Sequence, residues 1–229
     1  MKIFKFIIFL LLIPVALAAV YTSLEIVLVF GANTKMYTIP FWAGIATYVL
    51  FQIFFARPMR TYVFGHELTH ALAGILSGAT LKKFKVTKNG GSVTLDRNNI
   101  WITLSPYFIP FYSIIIIVCY LLLGFFINLT PFYPYFIFLV GITTAFHFAL
   151  TYYAIKAGQK DLKIYGVFFS LLIIVLVNAI TLTFVLAAIF PGSVNILMLF
   201  YGTFLRAVSI FQYILEGVKV IWASFQRMN

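Results

Sequence analysis

The residues best suited to chemistry are His66, Glu67 and His70, which lie within the pentapeptide His-Glu-Leu-Thr-His. On a helix, residues four positions apart share one face, so both imidazoles can reach one metal ion. Histidine nitrogens bind zinc at about 2.0–2.1 Å. Glu67 stands beside the first histidine and can act as general base toward a water on that metal. This pattern predicts zinc-dependent hydrolase chemistry.

The third metal ligand must come from a short set, because the chain has only three histidines and five acidic residues. A metzincin pattern is excluded, since Ala73 and Leu76 stand where that class has glycine and histidine. Asp161 and His147 are the main candidates, Asp96 is a more distant one, and Glu216 would serve a class that uses a downstream glutamate.

Depth in the membrane separates the two main candidates. His147 precedes Lys156 by nearly the same number of residues as His70 precedes Gly78, so the two histidines are predicted at similar depth. Asp161 lies nearer the surface and could instead cap a helix. It reaches the metal only if residues 156–163 dip into a wet cavity within the membrane.

The composition indicates a membrane protein. Hydrophobic residues make up 63% of the 229 residues and charged residues only 9%, against roughly a quarter charged in soluble domains. The net charge of +11 could suggest nucleic acid, but the basic residues lie between apolar runs. Anionic lipids and the positive-inside rule explain them better, and nucleic acid is not expected as a partner.

The apolar runs predict an all-α polytopic membrane protein of about six transmembrane helices in one domain, residues 1–229. The predicted spans are 6–30, 37–56, 61–78, 101–127, 133–156 and 164–190. The first is read as a retained anchor rather than a signal peptide, and Pro106 and Pro110 are expected to kink the fourth. The tail, 193–229, is a seventh span or an interfacial helix.

Within this domain, residues 1–56 form N-terminal spans and residues 61–190 a catalytic core. Basic residues around 82–97 and 156–163 favour a cytoplasmic position for that face. The expected location is a membrane, in which the chain is an integral multi-pass protein. The sequence does not specify the oligomeric state.

One stretch, 81–100, breaks the helical pattern and predicts a short membrane-associated β-hairpin. Phe84 and Val86 alternate with lysines, and Val93 and Leu95 alternate with polar residues. Between them, Asn89-Gly90-Gly91 supplies the backbone conformations of a tight turn. Its exposed edge could hold an extended peptide, or the stretch could be a basic surface loop.

Over about half of its length, residues 62–178, the chain resembles bacterial or archaeal site-2 proteases, in the small branch without a PDZ domain, which implies a location in the cell membrane of a prokaryote. The resemblance rests on GHELTHALAG, on KKFKVTKNGGSVTL followed by LSPYFIP, and on FHFALTYYAIKAGQKDLKIYGVFFS. Family members are helical bundles that hold zinc inside the membrane and cleave transmembrane protein substrates.

This resemblance implies roles for particular residues. His66 and His70 match the family's zinc-binding histidines, Glu67 its base, and Asp161 its aspartate ligand. His147 becomes a candidate for binding substrate or the oxyanion, besides its reading as an alternative ligand. The hairpin residues Asn89, Gly90, Gly91 and Val93 match a substrate-clamping β element. The chain departs from the family where Leu162, rather than glycine, follows the aspartate.

Two other functions remain open from the sequence. The chain could be a catalytically inactive membrane protein that binds client helices, in which case it holds no stoichiometric zinc. It could also be a zinc protease of the prenylated-peptide type, in which Glu216 would be a ligand.

Overall fold

The computed structural model describes residues 2–33, 35–87 and 90–228, which form nine α-helices, one short 3-10 helix and one β-hairpin. In chain order the elements are α1 Lys2–Asn33, α2 Lys35–Phe54, α3 Met59–Leu76, β1 Leu81–Thr87, β2 Gly90–Leu95, α4 Ile100–Phe108, α5 Phe111–Leu123, the 3-10 helix Thr130–Phe132, α6 Tyr133–Lys156, α7 Lys160–Ile164, α8 Val167–Ile189 and α9 Ile196–Met228.

Several helices are long and apolar enough to cross a bilayer, which indicates a membrane protein. In the described ranges there are four such stretches, and the bent pair α4–α5 counts as a fifth if it is one span. The four are Phe6–Leu28, Thr130–Lys156, Val167–Ile189 and Ile196–Arg227. Many leucines, valines and phenylalanines on these helices are exposed on the surface of the bundle, as expected where lipid is the solvent.

Two of the six predicted spans do not reach this standard. The apolar part of α2 is shorter, Thr38–Phe54, and α3 is less apolar because it carries the histidine motif. The number of six spans therefore stays a prediction.

The kink predicted at Pro110 is present as a break between α4 and α5, whereas Pro106, also expected to kink the chain, lies inside α4. The two helices meet at 76°, because Pro110 has no N–H and ends the hydrogen-bonding pattern of α4. The amide of Phe111 donates to the carbonyl of Ile109 at 2.8 Å. This leaves the carbonyl of Tyr107 without its helical donor, and the side chain of Asn178 on α8 supplies one at 2.8 Å.

Helix α2 packs against α6 through two glycines. A Cβ on Gly44 would collide with the backbone of Phe138, and a Cβ on Gly141 would collide with the carbonyl of Phe41. Small residues allow this close approach of two helix backbones. Phe41, Ile137 and Val140 lie in the apolar cluster beside the crossing.

The predicted hairpin is present and packs on α3. Its strands are antiparallel, with Phe84 opposite Val93 and Thr87 opposite Gly90, and Leu95 lies against Gly74 of α3. Asn89, predicted in the turn, lies outside the described residues. The element is shorter than the predicted 81–100, because Asn99 caps α4 by accepting from the amide of Ile102 at 2.9 Å.

Two further boundaries differ from the prediction. The sixth predicted span begins at Val167 rather than Ile164, since Ile164 ends the short α7 and Gly166, at a φ of 95°, separates it from α8. The tail is one continuous helix, α9, which packs against α1 and α8. On α9, Arg206 pairs with Glu25 of α1.

Candidate metal centre

Three of the residues singled out in the sequence converge on one point. The Nε2 atoms of His66 and His70 each lie 3.6 Å from Oδ2 of Asp161. One ligand atom from each of the three residues can be chosen so that all lie within 4.8 Å of one another. His147 and Glu216 are not members of this group.

Helix α3 presents both histidines from consecutive turns, with ring centroids 4.9 Å apart. The Nδ1 of His70 lies 2.7 Å from the carbonyl oxygen of Ile102 on α4. A carbonyl only accepts, so this nitrogen carries the proton and Nε2 keeps its lone pair toward Asp161. The Nδ1 of His66 contacts the hydroxyl of Tyr62 at 3.2 Å.

Asp161 is brought to the histidines by α7, between α6 and α8. The N-cap of α7 is Gln159, so Asp161 is not the helix cap that its sequence position allowed. The hydroxyl of Tyr107 donates to the same Oδ2 at 2.9 Å. Burial raises the pKa of the Asp161 carboxyl, but its interactions with the two histidines and the hydrogen bond from Tyr107 outweigh burial and hold that pKa below its usual range.

The three side chains fit a zinc ion. Ligands bonded at about 2.0–2.1 Å in tetrahedral geometry lie about 3.3 Å from one another, close to the two 3.6 Å separations here. Two histidines and one carboxylate are a donor set of catalytic zinc sites, in which three protein ligands leave a position open. The same donors also suit non-haem iron, so the metal's identity stays a prediction.

Glu67 lies between the histidines and the hairpin and is nearly buried. A Cβ on Gly91 of β2 would lie 2.8 Å from Oε1 of Glu67 and would overlap its side-chain carbons. The strand therefore passes close to the carboxylate, and any side chain at position 91 would require Glu67 or the strand to shift.

A cleft of about 620 Å³ opens onto the cluster. Its walls are α3, the whole of β2, the start of α4 and the residues around Asp161. Gly90, Gly91 and Val93, three of the predicted clamp residues, line it. The structure thus brings the hairpin to the histidine motif, while its hold on a substrate stays a prediction.

His147 lies apart from this cleft, buried on α6 beside a small second cavity of about 20 Å³ that His66 also lines. Its Nε2 contacts Oδ1 of Asn178 at 3.2 Å. Asn178 donates its amide hydrogens to the carbonyls of Tyr107 and Ile174, so its oxygen accepts from His147. His147 therefore helps to hold Asn178, whose side chain supports the end of α4. It is not in the group of possible metal ligands. A role in binding substrate or the oxyanion stays a prediction.

Tyr107 and Asn178 were missed by the sequence reasoning. Tyr107 is fully buried, and its ring stands edge-on to His66 at 5.2 Å. In the sequence, Asn178 could have indicated this contact, because it is a polar side chain in the middle of an apolar helix. Such residues are costly in a membrane and usually have a partner there.

Comparison with protein-family models, with curated proteins and with solved structures gives no match for this chain.

Proposed function

We propose that this chain is a zinc-dependent intramembrane endopeptidase of the site-2 protease kind, which hydrolyses peptide bonds in or near transmembrane segments of its substrates. The observation that carries the proposal is the approach of His66 and His70 to Asp161, each with its Nε2 at 3.6 Å, beside the Glu67 carboxylate. A polar patch that only joined helices would need neither this donor set nor a 620 Å³ cleft.

His66, His70 and Asp161 would hold the metal, which when bound supplies Lewis acidity to a water and to the scissile carbonyl. Glu67 takes a proton from the attacking water on its carboxylate and passes it to the leaving nitrogen. The bond from His70 Nδ1 to the Ile102 carbonyl keeps the imidazole in one orientation and tautomer.

The cleft suits an extended peptide. In a transmembrane helix the backbone N–H and C=O groups are hydrogen-bonded within the helix. The helix must therefore unwind locally before one of its peptide bonds can be attacked. Strand β2 lines the cleft along its full length and could pair with the unwound segment through main-chain bonds. Gly91 brings that segment close to Glu67.

In this proposal α2 and α3 also cross the membrane, which gives the six predicted spans, with α9 as a seventh. The chain lies in the cell membrane of a prokaryote, with the basic hairpin face toward the cytoplasm. Its partners are transmembrane protein substrates and lipids.

The test compares purified wild-type protein with Glu67→Gln. We expect wild type to hold one zinc per chain and to cleave a transmembrane substrate. Glu67→Gln should keep the zinc but lose about 100-fold or more of the cleavage rate, as expected for loss of a general base. Glu216→Gln, exposed on α9, is the matched control and should retain both.

Other outcomes would contradict the proposal. Full activity in Glu67→Gln would exclude the mechanism. Wild-type protein without stoichiometric metal would favour a client-binding protein, and iron in place of zinc would favour another chemistry. Zinc loss in Glu216→Gln would favour the prenylated-peptide type.

A further inference from the structure

Two basic side chains line the same cleft as the metal cluster. Lys160 directly precedes Asp161 on α7, and Arg97 follows the end of β2. Both are exposed. The two cations therefore stand on the cleft wall itself, at the ends of the elements that carry Asp161 and Gly91.

Of the acidic groups near these cations, Asp161 and Asp96 already have polar partners. Asp161 accepts from Tyr107 and faces both histidines, while Glu67 lies at the cluster. Asp96 accepts from the Thr80 amide at 2.8 Å, and that bond is the main cause that holds its pKa below the usual value. The Nε atom of Arg97 lies 3.8 Å from Oδ1 of Asp96, which is a long ion pair. No ion pair joins Lys160 to a described residue.

The elements around the cleft carry further positive charges. Strand β1 carries Lys82, Lys83 and Lys85, all exposed, while Lys156 ends α6 and Lys163 lies in the last turn of α7. The positive-inside rule explains basic residues on this face in general. It does not require two of them to line the cleft, where like charges would repel a basic peptide and attract an acidic one.

We propose that Lys160 and Arg97 select substrates whose segment beside the scissile bond carries acidic side chains. This inference rests on the proposed function and names its substrate class. Asn98 and Gln159, which also line the cleft, can donate further hydrogen bonds to the same carboxylates. Exposed charges attract one another more weakly as salt rises, so the selection weakens with ionic strength.

The experiment uses full-length, zinc-loaded protein in an uncharged detergent. The substrates are transmembrane peptides that differ only in glutamates, glutamines or lysines beside the scissile bond. We expect kcat/KM to be about tenfold higher for the glutamate peptide than for the glutamine peptide, and lowest for the lysine peptide. That ratio should fall to about one in the double variant Arg97→Gln, Lys160→Gln. It should persist in Lys219→Gln, a matched change on α9.

A binding measurement separates this inference from the proposed function. Fluorescence anisotropy of the labelled peptides with Glu67→Gln reports recognition without cleavage. If wild type cleaves the glutamate and glutamine peptides with equal kcat/KM, the inference is overturned and the proposed function stands. A ratio that survives in the double variant, or that arises only when anionic lipid is added, assigns the effect to the membrane surface and also overturns it. Binding that depends on both cations without any cleavage supports the inference and contradicts the proposed function.

Discussion

At the scale of single residues, the most informative side chain outside the motif is Tyr107. Its hydroxyl donates to Asp161 Oδ2, the oxygen that faces both histidines. Tyr107→Phe removes this bond with little change in shape, so we expect zinc affinity to fall by about 10- to 100-fold. Competition with a chelator measures the change. Tyr120→Phe, which loses a bond only to the Leu129 carbonyl, should bind zinc as wild type does.

A second prediction concerns the contact between Gly91 and Glu67. Gly91→Ala places a methyl group against the carboxylate and should displace the base or the strand. Displacements of about 1 Å in an active site can cost on the order of 100-fold in rate. Zinc content should not change, because the three atoms nearest the methyl group all belong to Glu67 and none to a proposed ligand. Loss of zinc, or wild-type turnover, would contradict this account of why glycine occupies the position.

At the scale of elements, Asn178 links α8 to the broken end of α4. Asn178→Leu leaves the Tyr107 carbonyl and the His147 Nε2 without partners, at a cost of about 1–3 kcal/mol for each unsatisfied group. We expect a lower unfolding temperature and weaker zinc binding, because Tyr107 loses its support. Val175→Leu, exposed on the same helix, should leave both unchanged. An unaltered melting curve in Asn178→Leu would show that α4 does not depend on this bond.

The same elements show what the sequence could predict. The helix α3 and the hairpin follow from local patterns, the i, i+4 spacing and the alternation around Gly90 and Gly91, so both were predicted from short windows. The position of Asp161 depends on how α7 folds back between α6 and α8, which no local pattern specifies. The role of Tyr107 depends on a carbonyl released at Pro110 and on a donor from a helix 71 positions along the chain.

At the scale of the whole molecule, the buried apolar residues in the described part of the chain form two clusters that support different parts of the bundle. One surrounds α4 and contains Tyr107 and Leu162, so it supports the metal centre. The other joins α2, α6 and α8 around Ile137 and Val140 and contains none of the proposed ligands. Both clusters include residues of α6 and α8, so a disturbance in the second cluster should reach the centre through these two helices.

The α2–α6 crossing offers a test of this division. Gly141→Ala forces a methyl group into the carbonyl of Phe41, and such overpacking typically costs about 1–3 kcal/mol. We expect a lower unfolding temperature in detergent, whereas Gly217→Ala, which has nothing within 4 Å, should not change it. Below the unfolding temperature, Gly141→Ala should still bind zinc as wild type does, because its clash lies away from α3, α4 and α7. Loss of zinc from folded Gly141→Ala protein would show instead that the two clusters respond as one unit.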